Sequence, residues 1–184
     1  QLAAKGANLL DTPVSGGKIG AERAQLKMFI GGEKSIYEKV YPILVAIAGQ
    51  NTMFYCGTSG SGQAMKGINQ LQMGMLNATC LEILSFAVHS GLSLELIQQA
   101  FPETNYKITT SIAKKIVAGE GNDIGVKFRE LPYYIRQAEE QGYELPLTRL
   151  VYDICNKGER IVVDDHRDAP SFWNELTKDM LGNC

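Results

Sequence analysis

From Ser61 to Ser90 the chain places only two charged side chains, Lys66 and Glu82, in thirty residues. A segment apolar around most of its circumference reads as a helix buried on nearly all sides. At 1.5 Å per residue it would span about 45 Å. Whatever else the chain forms must pack around this rod. Gly67 and Gly74 lie inside it. Each costs roughly 1 kcal/mol against alanine, so close packing is expected there. The remaining polar groups gather in the first half, at Gln63, Lys66, Asn69, Gln70, Gln72 and Asn77. The methionines Met65, Met73 and Met75 read as core, and His89 as a helix-end residue. No run of 18 uninterrupted apolar residues occurs, which is read as excluding a membrane span.

Ahead of Gly57 the character alternates between α and β. Gln1 to Ala7 reads as the end of a helix stopped by Gly6. Asn8 to Thr12 and Leu26 to Ile30 read as strands, the second followed by a Gly31-Gly32 turn. Ser35 to Ala48 has helical spacing, with Ile36, Val40, Ile43, Leu44 and Ile47 on one side and Gly49 as its stop. Thr52 to Cys56 is a third strand. Three strands and one helix close no core alone, so residues 1–57 read as the trailing edge of a larger α/β sheet. Residues 58–184 read as all-α, which makes the chain mostly α. Its further helices are Leu94 to Phe101, Ser111 to Ala118, Val126 to Gln141 with Pro132, and Pro146 to Cys155. Asn156 to Pro170, with Asp164 to Asp168, reads as a solvated loop, and Ser171 to Leu181 as a last helix.

The chain has 184 residues, 45% hydrophobic and 21% charged, with a formal net charge of −2. That composition supports a packed core and excludes a disordered chain. No basic stripe points to nucleic acid or to an anionic membrane. Cys56, Cys80, Cys155 and Cys184 show no metal or redox spacing and fit free thiols in a reducing cytoplasm. Cys56 has no basic neighbour in sequence, which argues against a catalytic thiolate. With two histidines, the chain offers no sequence-local metal site.

Two constellations carry chemistry. The first is Asp11-Thr12-Pro13-Val14-Ser15-Gly16-Gly17, at the end of a predicted strand. Consecutive Ser-Gly-Gly can turn several backbone N–H groups into one concavity that binds a carboxylate or phosphate. The same residues also suit a plain loop needing glycine dihedrals. The second is the run Gly57, Gly60, Gly62, Lys66 and Asn69, a glycine turn leading into the long helix. Lys66 and Asn69, three apart, share a face. Burial lowers a lysine pKa toward the range of a general acid or base, whereas a snorkelling Lys66 would be a solvated surface group. Neither run matches the Walker or dinucleotide fingerprints.

In this order the two motifs resemble those of the β-hydroxyacid dehydrogenase family, whose best-known member is 3-hydroxyisobutyrate dehydrogenase. Asp11 to Gly17 with Gly20-Ala21 matches the substrate motif, Gly60 to Asn69 the catalytic motif, and Met28 to Gly32 the strand before the connecting helix. The resemblance runs over about residues 1–155. It implies a Rossmann-type domain followed by a helical domain like the C-terminal domain of 6-phosphogluconate dehydrogenase. It also implies NAD- or NADP-dependent oxidation of a small 3-hydroxy acid, or reduction of the matching semialdehyde. Lys66 would be the general acid/base, with Asn69 orienting it and the substrate. Ser15, Gly16 and Gly17 would hold the substrate carboxylate, and Gly62 and Arg129 would lie at the cofactor. A homo-oligomer such as a dimer through the helical domain is implied, with no metal.

The chain departs from the pattern in places. Arg129-Glu130-Leu131 stands where Lys-Asp-Leu is usual, Ala24 where a glycine is usual, and Asp164 to Cys184 has no counterpart. The family's fingerprint falls before Gln1, so the chain is expected to be the C-terminal part of a longer enzyme and inactive alone. A non-catalytic helical oligomerisation module is the alternative, and an imine reductase a third reading. Tartronate semialdehyde, glyoxylate and succinic semialdehyde are alternative substrates. Side chains near Tyr133, Phe172 or Trp173 are candidates for choosing among them.

Overall fold

The computed structural model describes residues 3–117, 130–156 and 181. It is mostly helical with a small three-stranded sheet. The chain divides into two compact units, Gln1–Asn69 and Gln70–Cys184. The division falls inside a helix, nine residues past its start, and not at Gly57 where the composition changes.

In the first unit, a 3-10 turn at Ala3–Lys5 is followed by Gly6 at φ 71. Strand β1 (Val14–Ser15) leads into the short helix α1 (Gly17–Glu22). Strand β2 (Lys27–Gly31), helix α2 (Lys34–Ala48) and strand β3 (Met53–Gly57) follow. The sheet order is β1-β2-β3. β1 runs antiparallel to β2, and β2 parallel to β3 across the α2 crossover. The register sets Val14 against Met28 and Phe29 against Phe54.

The strand expected over Asn8 to Thr12 is displaced. Asp11 makes an isolated bridge with Gly31, and the ladder resumes at Val14. Pro13 causes the break, since it has no N–H to donate; its carbonyl still accepts from Phe29 N–H at 3.0 Å. β2 is buried from Met28 to Gly31, as befits a strand covered on both faces. Met28, Ile30, Leu44 and Ala48 form the unit's core. Gly49, at φ 83, ends α2. Gly31-Gly32, expected to be a turn, instead closes β2 and begins the link to α2. Gly32 N–H donates to Gly57 O at 2.9 Å, and a Cβ on Gly32 would overlap Leu10.

Helix α3 (Ser61–His89) matches the expected rod, with His89 as its last residue. It is not buried on nearly all sides. Met65, Ile68, Met73, Leu76, Ile83 and Phe86 are exposed, Phe86 by 74%. Met65 and Met73 are therefore not core, whereas Met75 packs on the core of the second unit. An apolar composition says how much of a helix can be covered, not how much one chain covers. By length and composition α3 also suffices to cross a bilayer, with a mean hydropathy of 1.3 over its most apolar window. An interrupted apolar run is thus no exclusion by itself. The packing of one face of α3 on other helices is the mark of a core helix.

In the second unit α3 supplies Ala78, Leu81, Leu84 and Val88 to the core, at the i, i+3, i+6, i+10 spacing of one helical face. Leu94 and Ile97 of α4 (Leu94–Ala100) join them, with Ala113 of α5 (Tyr106–Val117), Leu131 of α6 (Leu131–Glu140) and Val151 of α7 (Pro146–Asn156). Ser93 caps α4 by accepting from Leu96 N–H at 3.2 Å. Helix α5 begins five residues before the expected Ser111. Its β-branched run Ile108-Thr109-Thr110 disfavours helix locally. Thr110 Oγ1 nevertheless donates to Tyr106 O at 2.8 Å within the helix, and Thr109 is buried. Pro132 sits in the first turn of α6 and Pro146 opens α7, where a missing N–H costs nothing. Cys56 and Cys80 are free thiols. The segment 126–129, the Asp164 to Asp168 loop, Phe172, Trp173 and Cys184 lie outside the described residues.

Candidate functional site

The two sequence motifs meet in the first unit. Asn69 Nδ2 donates to Ser15 Oγ at 3.3 Å, across 54 positions of sequence. Ser15 is half-buried in the edge strand β1, paired with Lys27. Asn69 is half-buried on α3, one turn beyond the half-buried Lys66. Ser15 is followed by Gly16 at φ 131 and Gly17 at φ 58, both exposed. Side chains are strained at these dihedrals, so the backbone here stays bare and approachable. Gly16 is the N-cap of α1, and the first N–H groups of a helix point outward from its end. The result is a hydroxyl, an amide and a bare backbone turn on one side, with an amine on the same helix face as the amide. Those groups suit a small molecule bearing a carboxylate and a hydroxyl.

Asp11 is the residue that spacing alone does not single out. Its Oδ1 accepts from Gly60 N–H at 2.7 Å and its Oδ2 from Gln63 N–H at 2.9 Å. A carboxylate at a helix N-terminus is stabilised both by these charge-assisted bonds and by the helix dipole. Its backbone exchanges both hydrogen bonds with Gly31, at 3.0 and 2.9 Å. The crossing is tight. A Cβ on Gly31 would lie 2.5 Å from Asp11 Oδ1. A Cβ on Gly62 would lie 2.6 Å from Phe29 O and 2.7 Å from Asp11 Oδ2. The signal available in the sequence was the aspartate heading the first motif together with glycines at 31 and 62, whose meaning needs the fold.

Gly62 is thus explained by the approach of α3 to β2, and its side-chain position is filled by the chain itself. Gly60 differs: it is exposed at φ 91, and a Cβ there would meet open space. Arg129 lies outside the described residues. Glu130 is the N-cap residue of α6 and accepts from the Tyr134 hydroxyl at 3.2 Å, and Leu131 is buried. Tyr133 is exposed. Burial pushes the Cys56 thiol up, and the Asp11 carboxylate adds to the rise. Such a thiol is a poor nucleophile. Among the described residues no group of His, Cys, Asp or Glu is arranged to hold a metal ion.

Ala24 adds a second explained oddity. Its φ is 51, the non-glycine positive value among the described residues. Gln25 N–H donates to Gly20 O at 2.7 Å and Ala24 N–H to Ala21 O at 3.2 Å. That pair of bonds is the Schellman end of α1, with alanine where glycine is favoured.

The first unit thus joins a parallel β-α-β edge to a long helix and brings a Ser-Gly-Gly turn to the Asn69 position of that helix. Residues 1–57 match the family model for the NAD-binding domain of 6-phosphogluconate dehydrogenase. The chain is 27% identical over 183 residues to 2-(hydroxymethyl)glutarate dehydrogenase of Eubacterium barkeri, covering 95% of this chain and 60% of that protein. It is 35% identical over 103 residues to 3-hydroxyisobutyrate dehydrogenase of Pseudomonas aeruginosa, covering 56% of this chain and 34% of that protein. Its fold resembles the Mycobacterium tuberculosis 3-hydroxyisobutyrate dehydrogenase structure with a TM-score of 0.69 at 24% identity, over 97% of this chain and 63% of that one. These matches are consistent with the β-hydroxyacid dehydrogenase family. It spans less than two thirds of the length of these relatives.

Proposed function

We propose that this chain forms the substrate-binding and proton-transfer part of an NAD(P)-dependent dehydrogenase for a small 3-hydroxy acid, working in reverse as a semialdehyde reductase. The observation that carries this reading is the hydrogen bond between Asn69 and Ser15, which joins the two motifs at one place. The donor set fits the substrate class. The Ser15 hydroxyl and the bare turn at Gly16 and Gly17 hold the carboxylate. Lys66, as the neutral amine, takes the proton from the substrate hydroxyl as the carbinol carbon loses hydride. In reduction the ammonium returns that proton to the carbonyl oxygen. Asn69 keeps Lys66 and the substrate in register, since proton transfer needs heavy atoms within about 2.6–3.2 Å.

Bound nicotinamide dinucleotide supplies the hydride acceptor or donor. The exposed backbone at Gly60 fits the approach of a flat ring. Gly62, through its backbone, and Arg129 are the further residues assigned to hold the cofactor. The remaining cofactor contacts, and the choice between NAD and NADP, are assigned to parts of a longer protein. On that basis the 184 residues alone turn over no substrate, and the longer protein works as a cytoplasmic homo-oligomer.

3-Hydroxyisobutyrate and 2-(hydroxymethyl)glutarate, named for two relatives, head the substrate panel, followed by the substrates of tartronate, succinic and glyoxylate reduction. The test is turnover of this panel with NAD and NADP by the full-length protein, with and without Lys66→Ala. A positioned acid/base is worth about 10²–10⁴-fold, so kcat/KM should fall by at least a hundredfold in the variant. Retention of more than a few per cent would sink the role of Lys66. Absence of turnover on every substrate would favour the oligomerisation module.

A further inference from the structure

We infer that Asp11 is the positioning residue of this site: its carboxylate grips the first turn of α3 and sets where Lys66 and Asn69 stand relative to Ser15. The inference rests on the functional reading above and assigns within it a residue that touches neither substrate nor cofactor.

Asp11 is bound on both sides. Its backbone is clamped to Gly31 in both directions, and four residues on, the same strand path delivers Ser15. Its two carboxylate oxygens take the N–H groups of Gly60 and Gln63. Lys66 follows Gln63 by three residues, less than one helical turn. So short a helical stretch cannot bend away an error at its start. The carboxylate is also a fixed-length spacer. With no Cβ at Gly31 or Gly62, it sits directly between β2 and α3, and nothing shorter or neutral fills both roles. Asparagine keeps the volume but offers one acceptor oxygen, turning an NH₂ toward the other N–H.

The experiment uses the full-length protein and the substrate on which it turns over best. Kinetics are measured for Asp11→Asn, Lys66→Ala and the double variant, with Asp11→Ser as a second replacement. Displacing a catalytic group by about 1 Å costs on the order of 10²-fold, so Asp11→Asn should lower kcat roughly 10- to 100-fold. In the Lys66→Ala background the Asp11 substitution should cost less than about threefold, since the group it positions is gone. Amide hydrogen exchange in the unmutated protein should show Gly60 and Gln63 protected, a readout that does not depend on a variant folding.

An Asp11→Asn enzyme within threefold of the parent kcat would overturn the inference. Equal losses in both backgrounds, tracking a lower Tm, would also do so, by showing a merely structural cap. Free exchange at Gly60 and Gln63 would overturn it as well. Full activity of Lys66→Ala alone would bring down the functional reading and this inference with it. A dead Lys66→Ala beside an unimpaired Asp11→Asn would remove this inference only.

Discussion

Replacing Gly62 by alanine sets helix propensity against packing. In an exposed helix interior the change stabilises by about 1 kcal/mol. At Gly62 the added Cβ would lie 2.6 Å from Phe29 O, 2.7 Å from Asp11 Oδ2 and 2.9 Å from Asp11 O. Two of those atoms are backbone of the sheet and its flanking strand path, and they have nowhere to go. The helix start must therefore move. Overpacking of this kind costs about 1–3 kcal/mol. Moving the helix start also loses at least one of the two bonds to the Asp11 carboxylate, worth about 1.5–3 kcal/mol each. After subtracting the propensity gain, the net loss is about 1.5–5 kcal/mol. For chains of this size each kcal/mol moves Tm by about 2–4 °C, so Gly62→Ala should melt at least about 3 °C lower in a calorimetric scan of the full-length protein. An unchanged or higher Tm would refute the steric argument and, with it, the claim that glycine is needed for the approach of α3 to β2.

Ala24→Gly should act in the opposite sense. Relieving a left-handed alanine at the end of α1 gains about 1 kcal/mol, read as a Tm rise of a few degrees. Ser15→Ala removes the hydroxyl assigned to the substrate carboxylate, and one lost hydrogen bond of about 1.4 kcal/mol corresponds to a tenfold rise in KM for the hydroxy acid. The Tyr134 hydroxyl is pushed up to about 12 by burial and by the Glu130 carboxylate beside it. The folded state therefore favours the protonated phenol, so its contribution is complete below about 10 and is lost as pH rises through 12. An ultraviolet titration should show one late tyrosine ionisation that disappears in Tyr134→Phe.

Much of the local structure was legible because its causes are local. The period of Ile36, Val40, Leu44 and Ile47 with a glycine stop at 49 defines α2, and the charge-poor run from Ser61 defines α3. Pro146 marks a helix start because it needs no N–H there. Three readings differed because neighbours decided them. Pro13 divides the strand path that Asn8 to Thr12 suggests. Thr109 and Thr110 disfavour helix on their own, and the burial of Thr109 and the bond from Thr110 to Tyr106 O overcome that. Exposed Met65, Ile68 and Phe86 show that composition does not say which side of a helix finds a cover. At the site, Ser15, Lys66 and Asn69 were legible as polar residues at telling spacings, whereas Asp11 was not.

By itself the sequence determined most of the helices, the second and third strands, and the residue types able to carry acid/base and carboxylate chemistry. These follow from periodicity, dihedral preference and side-chain chemistry, which act within a few residues of one another. Only the tertiary structure decided that Ser15 and Asn69 touch, that Asp11 holds the start of α3, and that Gly31 and Gly62 are glycines because a carboxylate stands between them. Those facts join positions about fifty residues apart. A chain segment carries no information about which distant backbone N–H will face its carboxylate until the sheet has formed and brought the helix across it.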